Sequence, residues 1–208
     1  MAYISIAALL MLLLSAALPW VINTGAALSL NSVDFAEWTS LYPAVMGETV
    51  SMSTTLLLRL MWVCAAVIIG FGFSGAKVGR AFIIIVLTLG LLPPFEIISA
   101  FDNPNYRQQA FIAILALATG LIGVAGIGSR YRSIIVVIAS AAGLFAVIMG
   151  VSRGMAFMRE AQISPVIGIG TVIAALGFGV LLIIYGYKQI GQRHNRRPTA
   201  HRSNGEPV

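Results

Sequence analysis

The sequence predicts an all-α, polytopic membrane helix bundle of about six transmembrane helices, with a short amphipathic helix in its first extracytoplasmic loop. Three observations carry this expectation. Of 208 residues, 59% are hydrophobic and only 10% charged, against about 25% charged in a soluble domain. Apolar runs recur that are long enough to cross a hydrocarbon core of roughly 30 Å as helix, and the period-two alternation of a membrane barrel is missing. Finally, the basic residues gather in alternate links between those runs.

The first run covers residues 3–21. No Lys or Arg precedes it, so it matches a secretory signal poorly, although Ser15-Ala16-Ala17 supplies small residues of the kind found at cleavage points. It is expected to stay as a helix, with Pro19 and Trp20 marking its outer end as an interfacial boundary.

A polar interval follows, residues 20–53. Asp34 and Glu37 have the spacing of a capping box, with Asp in place of Ser or Thr. Phe35, Trp38 and Leu41 then repeat every third residue, along roughly one face of a short helix. Tyr42-Pro43 is expected to end it, because the residue before proline disfavours the α region. Such a helix lies at the membrane surface. It serves either as a lid over the bundle or as an outer docking surface formed by Phe35, Trp38, Leu41 and Tyr42.

Runs two and three, residues 54–73 and 80–98, flank the glycine-rich basic link around Lys77. A short link forces antiparallel neighbours. Run three is broken near its outer end by Pro93-Pro94 and followed by Glu96. Asn103-Pro104 signals a turn before run four, residues 110–127, and Arg130 and Arg132 lie in the tight link to run five, residues 133–151. Run six is residues 166–187. The two central hairpins share a Gly-rich end and a basic turn, a weak hint of parallel duplication. Gly70, Gly120, Gly123, Gly143 and Gly170 are small enough to let helix backbones approach. Residues 1–187 therefore form the bundle, and residues 188–208 a basic tail with too few apolar residues to fold.

Charge sets the orientation. Lys77, Arg80, Arg130, Arg132, Lys188, Arg193, Arg196, Arg197 and Arg202 fall on one side, Arg59, Arg107, Arg153 and Arg159 on the other. The positive-inside bias places the first group, and both termini, in the cytoplasm. Six of the seven acidic residues (Asp34, Glu37, Glu48, Glu96, Asp102 and Glu160) lie on the opposite side. Short links of this kind fit an inner (plasma) membrane. The net charge of +6 then reflects inner-leaflet contact, with Lys188, Arg193, Arg196, Arg197 and Arg202 against the lipid surface, and not nucleic acid.

An ionisable residue inside a span is a functional candidate by default. Arg59 and Glu96 qualify. Counted at helical rise from the turn near Lys77, they reach nearly the same depth in antiparallel neighbours. They are expected to form an ion pair, to snorkel separately to the outer interface, or to make a gate or ion site.

No chemistry is legible beyond this. His194 and His201 both lie in the tail, which leaves no embedded metal or haem ligands and no catalytic triad. Phosphate-binding, dinucleotide and zinc-protease motifs are missing. The lone Cys64 lies within an apolar run and reads as structural. The sequence thus points to a non-catalytic structural or accessory subunit of a membrane complex, without cofactor. Its partners are the bilayer and other membrane subunits or further copies of the chain. A small transporter with a site near Arg59 and Glu96 is the alternative.

Overall fold

A computed structural model of the chain describes residues 2–23, 25, 27–45, 52–73, 75–93 and 102–195, with backbone alone at 2, 42–45 and 192–195. Seven α-helices account for most of these residues, and four are long and apolar enough to cross a membrane: residues 53–72, 104–125, 129–160 and 169–191.

Helix α1, Ala2–Ser15, is apolar but short for a span. Its last turn closes when the Ser15 hydroxyl donates to the Leu12 carbonyl at 2.7 Å. The chain then leaves helical geometry and forms strands β1, Val21–Asn23, and β2, Leu28–Leu30. In the turn between them, Asn23 Oδ1 accepts from Gly25 N–H, and Ala27 takes a left-handed conformation, φ 49°. A third strand, β3 (Val166–Ile167), pairs antiparallel with the other edge of β1, giving the order β2-β1-β3. This small sheet is an addition to the all-helical expectation. Trp20 at its corner is not interfacial: it is fully buried, with its indole N–H donating to the Ser15 carbonyl at 2.7 Å. Its own carbonyl accepts from Gly168 N–H and from the Thr171 hydroxyl, so its backbone ties the first helix to the last.

Helix α2 runs from Ser32 to Val45. Asn31, not Asp34, caps it: Asn31 Oδ1 accepts from the N–H groups of Val33 and Asp34 at 2.9 and 3.1 Å. This is the usual way an N-cap satisfies orphan donors, and it frees Glu37 for another role. The helix also continues through Pro43, where it was expected to stop. Proline lacks one donor, and near a helix end that loss removes a single bond.

Helix α3, Ser53–Gly72, is the axis of the bundle. Of its span 78% is buried, against 39–44% for the other three, because α2, α4, α5 and α6 all pack on it. Helix α4, Lys77–Leu89, rises only about 20 Å, so the run expected over 80–98 is helical through Leu89. Pro94 and Glu96 lie outside the described residues. Val78, Phe82, Ile85, Val86 and Leu89 form an exposed apolar face on α4.

Helix α5, Pro104–Ala125, begins earlier than expected. Asn103 is its cap and Pro104 occupies its first turn, where a missing N–H costs nothing. It ends at Gly126, whose φ of 88° suits glycine, and a 3-10 turn at Ser129–Tyr131 leads into α6. Helix α6, Arg132–Glu160, has 29 residues and absorbs the expected link containing Arg153 and Arg159. Helix α7, Ile169–Asn195, likewise carries the first residues of the expected disordered tail.

Glycines set the closest approaches. At Gly70 a β-carbon would overlap the backbone of Gly120, and at Gly123 it would lie 2.7 Å from the Gly70 carbonyl carbon. Helices α3 and α5 therefore touch backbone to backbone, the use of small residues expected within an apolar bundle.

Candidate functional site

The polar groups at the acidic end converge on Arg59. This residue lies two turns into α3 and is only 4% exposed, although the span around it is apolar. An unpaired buried cation costs several kcal/mol, so its neighbours decide whether the helix can hold it. Arg59 Nη2 donates to Glu37 Oε2 at 3.3 Å. Nη1 donates to the Asn105 carbonyl at 3.3 Å and to Gln108 Oε1 at 3.2 Å.

Each partner is held in turn. The second oxygen of Glu37 accepts from Asn105 Nδ2 at 3.1 Å, and Gln108 Nε2 donates to the Met52 carbonyl at 3.2 Å. Thr39 of α2 and Thr55 of α3 join their hydroxyls at 3.0 Å one turn away. Arg59 thus fastens α2, α3 and α5 together. Glu37 remains 38% exposed at its side chain, so the carboxylate reaches water while the guanidinium does not.

Three side-chain acceptors nearby, Thr54 Oγ1, Asn105 Oδ1 and Gln109 Oε1, are buried with no hydrogen-bond partner. Beside Arg59 and Gln109 is a small cavity of about 10 Å³, walled by Ser32, Ala36, Trp62 and Ile112. That is room for about one water. A larger depression, about 360 Å³, opens nearby between Ser40, Leu41, Asp102 and Tyr106. Among the described residues no group of three His, Cys, Asp or Glu side chains is placed to hold a metal ion.

The expected outer docking surface requires correction. Phe35 is fully buried, with its ring against Gly154 of α6, and Trp38 is half-buried against the core. Leu41 is exposed, and the Tyr42 side chain lies outside the described residues. The buried stripe of α2 is Ser32, Phe35, Ala36, Thr39 and Ser40. Thr39 and Ser40 can face inward because their hydroxyls donate to carbonyls one turn back, Ala36 and Glu37. An apolar-only reading of the helix face misses such self-satisfied hydroxyls.

Glu96 lies outside the described residues, so the carboxylate that meets Arg59 among them is Glu37. Among the basic residues expected at the lipid surface, Lys188 belongs to α7 and places its ammonium 4.5 Å above the Tyr185 ring. The backbone of Arg193 is helical, its side chain lies outside the described residues, and so do Arg196, Arg197 and Arg202.

Asn105 and Gln108 as partners of Arg59, and Gln109 in the cavity wall beside it, were not anticipated. Their i, i+3, i+4 spacing makes one polar face at the start of α5, a signal present in the sequence but masked by placing the start of the run at residue 110. Comparison with protein-family models, curated proteins and solved structures gives no match for this chain.

Proposed function

We propose that the chain is a multi-pass inner-membrane protein with both termini in the cytoplasm, acting as a non-catalytic structural or accessory subunit of a membrane complex. The observation that carries this reading is the Arg59 cluster. The Arg59 guanidinium pairs with Glu37, the Asn105 carbonyl and Gln108, joining three helices beside a space of about one water. A group committed in this way supports rigidity rather than turnover or passage. The outward apolar face of the short helix α4 offers a surface for a second membrane helix.

The test is extraction in mild detergent with a photo-crosslinking amino acid at Phe82 or Leu89. A defined polypeptide joined at these positions, and not at Phe145 on α6, is the expected result. Recovery of a lone chain with lipid adducts only would overturn it.

One observation favours a second reading, a small transporter with an ion or proton site. The acceptors Thr54 Oγ1, Asn105 Oδ1 and Gln109 Oε1 are buried without partners around Arg59. Buried acceptors of this kind are costly unless something donates to them or binds them. This reading requires that Glu37→Gln abolish a solute or proton flux in proteoliposomes while leaving the fold intact.

A further inference from the structure

The opposite end of the bundle holds a second polar site that the Arg59 cluster does not use. A pocket of about 280 Å³ opens where α3 and α5 end and α4 and α6 begin. Lys77, Arg80 and Arg132 all line it, with Ser129 adding a hydroxyl and Phe71 an apolar wall. The described acidic residues, Asp34, Glu37, Asp102 and Glu160, sit on α2, before α5 and at the far end of α6, so none of them faces these cations.

The two arginines are positioned rather than loose. Arg80 Nη1 donates to the carbonyls of Gly70 and Phe73 at 2.8 and 2.7 Å, and Arg132 Nη2 donates to the Gly72 carbonyl at 3.2 Å. Those carbonyls are the ones left over at the C-terminal end of α3, where a helix attracts cations. Carbonyl dipoles orient the guanidinium groups but do not neutralise them. Arg80 Nε is buried with no hydrogen-bond partner. Helix α4 begins at Lys77 with no side-chain cap, so its first N–H groups add partial positive charge at the same mouth.

Two fixed guanidinium groups and the Lys77 ammonium, with no carboxylate among the described residues facing them and beside an uncapped helix start, call for an anion with several acceptor oxygens. Arginine forks and lysine point charges suit phosphate. The pocket also lies at the ends of two membrane-length helices, the level at which lipid headgroups lie. We propose that this pocket binds a phosphate group, presented by an anionic phospholipid or free in solution, between Lys77, Arg80 and Arg132.

The test uses the full chain purified in a neutral detergent. Phosphatidylglycerol, phosphatidylcholine and inorganic phosphate are titrated separately, with lipid retention read by native mass spectrometry and phosphate binding by thermal shift against sodium chloride at equal ionic strength. Retention of phosphatidylglycerol over phosphatidylcholine assigns the phosphate to lipid. Stabilisation by inorganic phosphate without such retention assigns it to a soluble ion.

Lys77→Gln with Arg132→Gln is expected to weaken the responding ligand by about tenfold or more, from the loss of two charge-assisted contacts. Lys77→Arg with Arg132→Lys retains most of the binding. Gly75 lines the pocket, and a β-carbon there would meet nothing within 4 Å, so Gly75→Leu blocks the space with every charge in place and is expected to lose binding as well. Arg153→Gln with Arg159→Gln, at the other end of the bundle, leaves binding unchanged. Equal binding by wild type, the double Gln variant and Gly75→Leu would overturn the proposal. So would an equal loss in the Arg153/Arg159 variant, or no response to either phosphate source.

Discussion

Phe35 of α2 seats its ring on Gly154 of α6, so that a β-carbon at position 154 would overlap the ring. Phe35 is fully buried there, which makes this contact the apolar counterpart of the Arg59 cluster in holding α2 down. Gly154→Leu should therefore lift α2 and expose Glu37, lowering the thermal midpoint in detergent by the equivalent of about 1–3 kcal/mol. Faster proteolysis within residues 32–45 than in the wild type would confirm the displacement, and an unchanged digestion pattern would refute it.

The Arg59–Glu37 pair is asymmetric in burial, and its substitutions should be asymmetric too. Glu37→Ala strands a buried guanidinium and is expected to cost about 2 kcal/mol, less than a fully buried pair because the carboxylate is partly exposed. Arg59→Met leaves a carboxylate that can turn to water and should cost less. Combining Glu37→Ala with Arg59→Met should recover stability relative to Glu37→Ala alone, as unfolding in a double-mutant cycle would show. Strict additivity would mean that the pair is not coupled.

The α3–α5 contact brings backbone against backbone, since a β-carbon at Gly70 or Gly123 would meet main-chain atoms of the facing helix. Gly70→Val should destabilise the fold by about 3 kcal/mol or prevent accumulation, because a neighbouring carbonyl cannot rotate aside as a side chain can. Gly179 is the control: a β-carbon there meets nothing within 4 Å, and Gly179→Ala should be neutral or gain up to about 1 kcal/mol from helix propensity. Equal midpoints for the two variants would contradict the packing.

Trp20 is buried and its indole N–H is bonded to Ser15. With Trp38 and Trp62 replaced by Phe, the remaining Trp20 emission should resist quenching by acrylamide and by brominated lipid alike. Trp20→Phe should cost about 1–2 kcal/mol, chiefly from leaving the Ser15 carbonyl unpaired.

These outcomes bear on how much could be read beforehand. Helices α3, α5, α6 and α7 follow from apolar runs, whose length is a direct signal of a span. The ends of elements were less legible, because local patterns competed. Asp34 and Glu37 imitate a capping box, yet Asn31 lies three residues ahead of Asp34 and caps first. The partners of Arg59 come from α2 and α5, distant in sequence, and no local periodicity pairs them. The sheet was beyond reach for a related reason: its strands have three, three and two residues, too short to show alternation.

Orientation can be tested with the chain's own lone cysteine as a silent background, since Cys64 is buried. Ser29→Cys and Ser129→Cys place exposed thiols at opposite ends of the bundle. A membrane-impermeant maleimide applied to intact spheroplasts should label residue 29 and not residue 129, with both labelled after lysis. The reverse pattern would invert the assignment.

The pairing of Val21 with Ile167 has a consequence in time. Strand β1 is made early, yet one of its edges finds its partner only when the residues before α7 have been synthesised. Helix α1 waits as well, because its main packing partner is α7. Helix α1 and strand β1 are thus made before α2 to α6 but settle after them. A chain stalled before residue 166 would present an unpaired strand edge and an undocked apolar helix, the features by which quality-control machinery recognises unfinished proteins. Closure of the sheet and docking of α1 therefore report that synthesis has passed through α7.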